Sequence, residues 1–137
     1  MTINALTIRN LRPRNRTGGD CVVLALTFIT GAPYADVEDY IKQRHSRYQT
    51  PEGTRAYGVH TDKLFKDEFV IFGYRLTRFD TQAFSLGSFI DFHPTGTFFI
   101  CIPSHALTVK DGQIFDGNDS SPRNHIKQVW KVEKVVA

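Results

Sequence analysis

The sequence is poor in cysteine and has no long apolar run. Its 137 residues include 2 cysteines, and no stretch approaches the roughly 20 apolar residues that a transmembrane helix requires. The first ten residues also lack the basic-then-apolar order of a secretory signal. We therefore expect a cytoplasmic protein without a membrane partner, in which Cys21 and Cys101 are free thiols. Cys101 lies in the apolar run "FFICIP" and is predicted to be a buried strand residue.

An excess of charge of one sign is also missing, because the formal net charge is only +3. Four arginines lie between positions 9 and 16, with no aromatic residue among them on which a base could stack. We interpret this cluster as a solvated loop, so nucleic acid is not an expected partner. The sequence has no C-x-x-C or H-x-x-x-H pair, and therefore no metal and no other cofactor are expected.

The chain does contain a clear change of pattern between its two halves. Apolar residues recur at helical spacing in the first half, whereas the C-terminal third consists of short runs rich in aromatic and β-branched residues. These patterns predict a single α+β domain over residues 1–137. The predicted elements are a strand at 5–8, helices at 20–30, 34–45 and 59–73, a loop at 46–58, a strand at 74–79, a short helix ended by Pro94 and Gly96, and further strands from 97 onward.

Cys21 follows the loop "NRTGGD" and begins a predicted helix. A thiol acts as a nucleophile in its thiolate form, which the partial positive charge at a helix N-terminus favours. Asp20 is predicted to cap this helix, and its carboxylate would oppose a negative charge on the sulfur. Asn15 lies six residues before Cys21, and the two glycines between them permit a tight path. Its amide is therefore a candidate donor to an oxyanion, together with the backbone N–H at the helix start.

The predicted C-terminal strands offer a base for this thiol. His105 begins one of these strands, and the Asp111-Gly112 pair downstream is a strong hairpin signal. If the two strands pair across this turn, Asp116 lies near His105 on the neighbouring strand. A carboxylate bonded to one imidazole nitrogen determines which nitrogen faces the thiol, as in a catalytic triad.

The order of Asn15, Cys21, His105 and Asp116 resembles that of the papain-like cysteine peptidases. Within this group, the sequence more closely resembles the small papain-fold proteins of bacteriophages and their bacteriocin-processing relatives. In this family a glutamine lies six residues before a cysteine that opens a helix, and a histidine and then Asn or Asp follow much later. The segments "DCVVLALTFITGAPYADV" and "TGTFFICIPSHALTVKDGQIFDG" also resemble the phage members, and the similarity covers residues 15–120.

This resemblance implies a papain-like α+β fold, in which the helix that begins at Cys21 packs on the C-terminal antiparallel sheet. It implies a cysteine-dependent hydrolase, namely a peptidase, an isopeptidase or a related acyl-transfer enzyme, that acts on a protein or peptide through an acyl-enzyme. Cys21 would be the nucleophile and His105 the base, with Asp116 orienting His105 and Asn15 contributing to the oxyanion site. If the chain is phage-encoded, its location would be the host cytoplasm.

Two departures from the family pattern leave alternatives open. Asn15 stands where the family has glutamine, and the interval between His105 and Asp116 is shorter than in papain. The third member of the triad is therefore either Asp116 or one of the alternatives Asn118 and Asp119. The alternative function is a catalytically idle papain-fold module that binds and inhibits a host protein.

Overall fold

The C-terminal part of the chain forms a six-stranded antiparallel sheet with the strand order β1-β2-β6-β3-β4-β5. The computed structural model describes residues 4–14, 16, 18–44, 66–117 and 120–135. Helices and strands together confirm the predicted α+β class. The helices are α1 (Ala5–Arg9), α2 (Cys21–Thr30), α3 (Tyr34–Arg44) and α4 (Leu86–Phe92), and the strands are β1 (Glu68–Ile71), β2 (Tyr74–Arg78), β3 (Thr97–Ile102), β4 (His105–Lys110), β5 (Gln113–Phe115) and β6 (Gln128–Lys134).

Strand β3 lies between β6 and β4, and both of its faces are buried. Phe99 and Cys101 contribute to a core shared with α2 and α3, whereas Phe98 and Ile100 contribute to a second core that includes residues of α4. Successive strand residues point to opposite faces, so a strand covered on both sides is apolar at nearly every position. Cys101 is only 4% exposed, which confirms the predicted burial.

Helix α2 is apolar around most of its circumference because it packs against both the sheet and α3. Each fully buried Val or Leu contributes about 1.5–3 kcal/mol, so this packing holds the helix firmly in place. Gly31 ends the helix with a left-handed φ of 69°, and the bounds agree with the predicted 20–30. The buried residues of α2 are Val22, Val23, Leu24, Ala25, Leu26, Thr27 and Ile29.

Within the described parts of the chain, no helix combines the length and the apolar character needed to cross a bilayer.

A tight hairpin connects β4 and β5, as the Asp111-Gly112 pair predicts. Both residues have positive φ, 49° and 76°, which a type I′ turn requires. The turn sets a register in which Thr108 pairs with Phe115. The strand that begins at His105 therefore returns, through this turn, as the strand that leads into Asp116.

Two of the predicted elements are wrong. Residues 5–8 were predicted as a strand but belong to helix α1, and residues 68–71, predicted as part of a helix over 59–73, form strand β1. The apolar residues of a short segment fit both the helical period and the strand period. For residues 68–71, pairing with β2 determines that the segment is a strand. Residues 59–65 of that predicted helix and the predicted loop at 46–58 lie outside the described residues.

Candidate active site

Cys21, His105 and Asp116 line one cavity of ≈ 340 Å³. The walls come from α1, the segment before α2, the first turns of α2, the β3–β4 connection and the end of β5. Most of the remaining wall is apolar or glycine. The other lining residues are Ile8, Arg12, Gly18, Gly19, Asp20, Leu24, Ala25, Ser104, Ala106, Leu107, Phe115 and Gly117.

Cys21 is the first residue of α2 and a partly exposed free thiol. Asp20 occupies the N-cap position, and its carbonyl accepts the Leu24 N–H at 2.9 Å, but its side chain makes no capping hydrogen bond. Asp20 is thus the N-cap residue, as predicted, but its side chain does not cap the helix. The N–H groups at the start of α2, where the sulfur lies, are therefore not hydrogen-bonded to this carboxylate.

The Asp20 carboxylate is instead fully buried in a polar cluster with Arg12 and Tyr34. Arg12 donates from Nε to Oδ2 at 3.1 Å and from Nη2 to Oδ1 at 2.7 Å, and the Tyr34 hydroxyl donates to Oδ2 at 2.7 Å. A buried carboxylate requires such partners because desolvation of an unpaired charge is costly. The negative charge predicted to oppose a thiolate at Cys21 is thus paired with a guanidinium.

His105 and Asp116 are hydrogen-bonded, with Nε2 of the ring 2.6 Å from Oδ1 of the carboxylate. If the β4–β5 register is continued by one residue, Asp116 lies opposite Leu107, on the same face as His105 two residues earlier. Diagonal neighbours of this kind are within reach of an imidazole. The hairpin therefore places Asp116 where the sequence predicts it.

The protonation of His105 reflects these neighbours. Burial lowers the pKa of His105, but hydrogen bonds with Asp116 and Cys21 and the charges of both residues raise it, and the net result is about 10. Because Asp116 occupies Nε2, Nδ1 is the ring nitrogen left to face the thiol. The imidazole thus shares one cavity with the Cys21 thiol and is bonded to a buried carboxylate, and nucleophilic catalysis by cysteine uses this combination of groups.

Three of the predicted site residues, Asn15, Asn118 and Asp119, lie outside the described residues. The structure brings together Cys21, His105 and Asp116. The oxyanion role of Asn15 and the alternatives for the third position stay predictions. Among the described residues, no group of three or more His, Cys, Asp or Glu side chains is placed to hold a metal ion.

Sequence reasoning missed the role of the N-terminal arginines, which were interpreted as a solvated loop. That interpretation is wrong for most of the cluster: Arg12 holds Asp20, Arg9 donates to the carbonyl of Gly117 at 2.7 Å, and Arg16 forms a buried pair with Glu38. Arg9 and Arg14 are the exposed members of the cluster. A buried acidic side chain requires a basic partner, and this requirement was the signal that the sequence offered. The sequence does not reveal which arginine pairs with which acid.

No protein-family model, curated protein or solved structure matches the chain. The functional argument accordingly depends on the geometry of the cavity and on the chemistry of its side chains.

Proposed function

We propose that the protein is a cysteine-dependent hydrolase or acyl-transfer enzyme of the papain-like type, with Cys21 as its nucleophile. The observation that carries the proposal is the position of the His105 imidazole, which is hydrogen-bonded to the buried Asp116 carboxylate and lines the same cavity as the Cys21 thiol. A nucleophile at the start of a buried helix and a base at the start of a sheet strand support the papain-like arrangement.

In the first half of the reaction, the Cys21 sulfur attacks the carbonyl carbon of a peptide, isopeptide or similar acyl compound. A C–S bond forms, and the carbonyl electrons move onto oxygen. When this tetrahedral intermediate collapses, the bond to the leaving amine breaks, and Nδ1 of His105 gives its proton to the amine nitrogen. A His105 pKa of about 10 means that the ring carries this proton at neutral pH.

In the second half, a water molecule or an acceptor amine attacks the acyl-enzyme. His105, which has lost its proton, now takes one from the attacking group, and Cys21 leaves as the thiolate when the C–S bond breaks. Asp116 keeps the ring oriented through both steps because it is bonded to the opposite nitrogen. The backbone N–H of Cys21 stands at the uncapped start of α2 and is the first candidate donor to the oxyanion.

The alkylation of Cys21 by iodoacetamide, measured against pH, tests the proposal. We expect Cys21 to react readily at about pH 6, where an ordinary thiol is almost fully protonated, because the His105 imidazolium favours a thiolate beside it. Replacement His105→Ala should slow the reaction at this pH by about tenfold or more. Mass spectrometry of the labelled peptides separates Cys21 from Cys101, which is buried and serves as an internal control.

The matched control is His125→Ala, because His125 is exposed and does not line the cavity. If His105→Ala alkylates as fast as the wild type, the proposed triad is wrong. Turnover provides the second measurement: peptides from a digested cell extract that the wild type cleaves should stay intact with Cys21→Ala. Cleavage by that variant would contradict the proposal, whereas slow alkylation without turnover would favour the binding-module alternative.

A further inference from the structure

Among the charged side chains that line the cavity, the basic ones are more exposed than the acidic ones. Both carboxylates are buried, with side-chain exposures of 0% for Asp20 and 1% for Asp116. Both basic groups are more exposed, at 24% for Arg12 and 15% for His105. A ligand that enters the cavity therefore meets positive charge, although the four groups together are balanced.

Arg12 has hydrogen-bond donors to spare. A guanidinium has about five N–H bonds, and Asp20 accepts from Nε and from one hydrogen of Nη2. Within the described part of the chain, Asp20 is the hydrogen-bond acceptor found for this side chain. Both hydrogens of Nη1 and the second hydrogen of Nη2 thus have no acceptor among the described residues and can donate to a ligand.

The position of this guanidinium is fixed before any ligand arrives. Asp20 holds its opposite edge with two hydrogen bonds, and Tyr34 holds Asp20 in turn. A donor that is already ordered loses little conformational entropy on binding. The pKa of Arg12 is raised, chiefly by the hydrogen bond with Asp20, and Cys21 is among the charges that contribute. The guanidinium lines the same cavity as the sulfur.

We propose that Arg12 binds a carboxylate of the substrate beside Cys21, so that the enzyme prefers acyl groups that carry an acidic function close to the scissile bond. This inference rests on the proposed function and adds a substrate class to it. Arginine suits the role because its planar fork matches the two oxygens of a carboxylate. The carboxylate is either an acidic side chain or a chain terminus, since both present the same group.

Two alkylating reagents of nearly equal size test the inference without a known substrate. Iodoacetate carries a carboxylate and iodoacetamide a neutral amide, and both lose iodide as the sulfur forms a C–S bond with their methylene carbon. The measured quantity is the ratio of the two alkylation rates at Cys21. We expect Arg12→Gln to lower this ratio by about fivefold or more at low ionic strength, as expected for removal of a nearby charge. Added salt should lower the wild-type ratio.

The matched control is Arg14→Gln, which removes the same charge from an exposed arginine two positions away and should leave the ratio unchanged. Arg12→Gln leaves the Asp20 carboxylate buried without its cation and therefore threatens the fold. The double variant Arg12→Gln/Asp20→Asn removes both charges at once and should lose the preference as well. A preference that survives in the double variant would overturn the inference.

The outcomes separate the two proposals. If iodoacetamide labels Cys21 in a His105-dependent way and iodoacetate shows no advantage that depends on Arg12, the proposed function stands and the Arg12 inference is wrong. If neither reagent labels Cys21 in the wild type, both are wrong. Two acids distinguish a side-chain carboxylate from a terminal one, because N-acetylglutamate α-amide carries the first and N-acetylglycine carries the second. For each acid, the protection of Cys21 from alkylation is compared with the protection given by its neutral amide. Protection by neither acid would also contradict the inference.

Discussion

The protonation of His105 is the residue-scale property on which the proposed chemistry depends. Burial alone would favour the neutral ring, and the 2.6 Å contact with the Asp116 carboxylate contributes the opposing effect together with Cys21. The resulting pKa of about 10 exceeds the ordinary value of 6.5. The folded protein therefore binds a proton at His105 under conditions in which the unfolded chain has released it.

This difference predicts a pH dependence of the free energy of unfolding. A group whose pKa is raised by folding stabilises the folded state fully below its unfolded pKa, and this contribution disappears as the pH rises through the folded value. The free energy of unfolding of the wild type relative to His105→Gln should thus be largest below about pH 6.5 and decrease up to about pH 10. Urea denaturation of both proteins at a series of pH values measures the difference.

Titrating groups that do not interact with His105 cancel in this comparison because both proteins carry them. A difference that is constant over the whole range, or that grows as the pH rises, would show that His105 is not protonated preferentially in the folded state. His125→Gln is the control, since this ring is exposed and should produce no comparable trend.

At the scale of single residues, the contacts that could be predicted from the sequence are those that depend on residues close together in the chain. Asp116 could be placed beside His105 because a two-residue turn sets the register of a hairpin. The side-chain bond expected from Asp20 to its own helix was wrong, because Arg12 and Tyr34 compete for the carboxylate. Long side chains reach partners that depend on how α1 and α3 pack, and neighbouring sequence does not encode that packing.

At the scale of elements, one buried ion pair connects the segment before Cys21 to helix α3. Arg16 donates from Nε and Nη2 to the two carboxylate oxygens of Glu38, at 3.1 Å and 2.8 Å, and both side chains are less than a tenth exposed. Lys42 lies one turn further along α3, 3.5 Å from the same carboxylate. This fork thus restrains the path by which the chain enters the active site.

We predict that Arg16→Ala lowers the free energy of unfolding by about 2 kcal/mol, because the buried Glu38 carboxylate loses the guanidinium that binds both of its oxygens. Arg14→Ala, two positions earlier and exposed, should change it by less than about 0.5 kcal/mol. Denaturant midpoints at constant m-value measure both effects. Equal effects of the two variants would contradict a structural role for the fork. The double variant Arg16→Leu/Glu38→Leu should cost less than Arg16→Ala, since it removes both charges of the pair together.

How well an element can be predicted depends on whether its own sequence or its contacts with other elements determine its structure. Helix α2 has ten residues of continuous apolar pattern and a terminating glycine, so its bounds follow from the sequence. Strand β1 has four residues, and its identity depends on pairing with β2. Segment 5–8 is similarly short, and α1 joins the rest of the fold through contacts such as the bond from the Asn4 N–H to the Ile114 carbonyl.

At the scale of the whole molecule, the two cysteines occupy opposite environments. Cys101 belongs to β3, which lies between two other strands and is covered on both faces by the two cores. Cys21 lies at the edge of one of these cores and opens into the cavity. Exposure of Cys101 requires separation of α2 from the sheet, whereas exposure of Cys21 requires no unfolding. Cys21 is thus a probe of the proposed active site, and Cys101 is a probe of the global stability of the fold.

We therefore predict that Ellman's reagent titrates one thiol rapidly in the native protein and the second only in the small population of molecules that are open. Cys101 labelling should follow the population of the open state and accelerate about tenfold for each 1.4 kcal/mol of lost stability. Arg16→Ala should thus speed the labelling of Cys101 by the factor that its denaturation midpoint implies, while Arg14→Ala leaves it unchanged. His105→Ala should show the reverse pattern, with an altered rate at Cys21 and at most a small change at Cys101. Rapid labelling of Cys101 in the native wild type would contradict the placement of β3 inside the two cores.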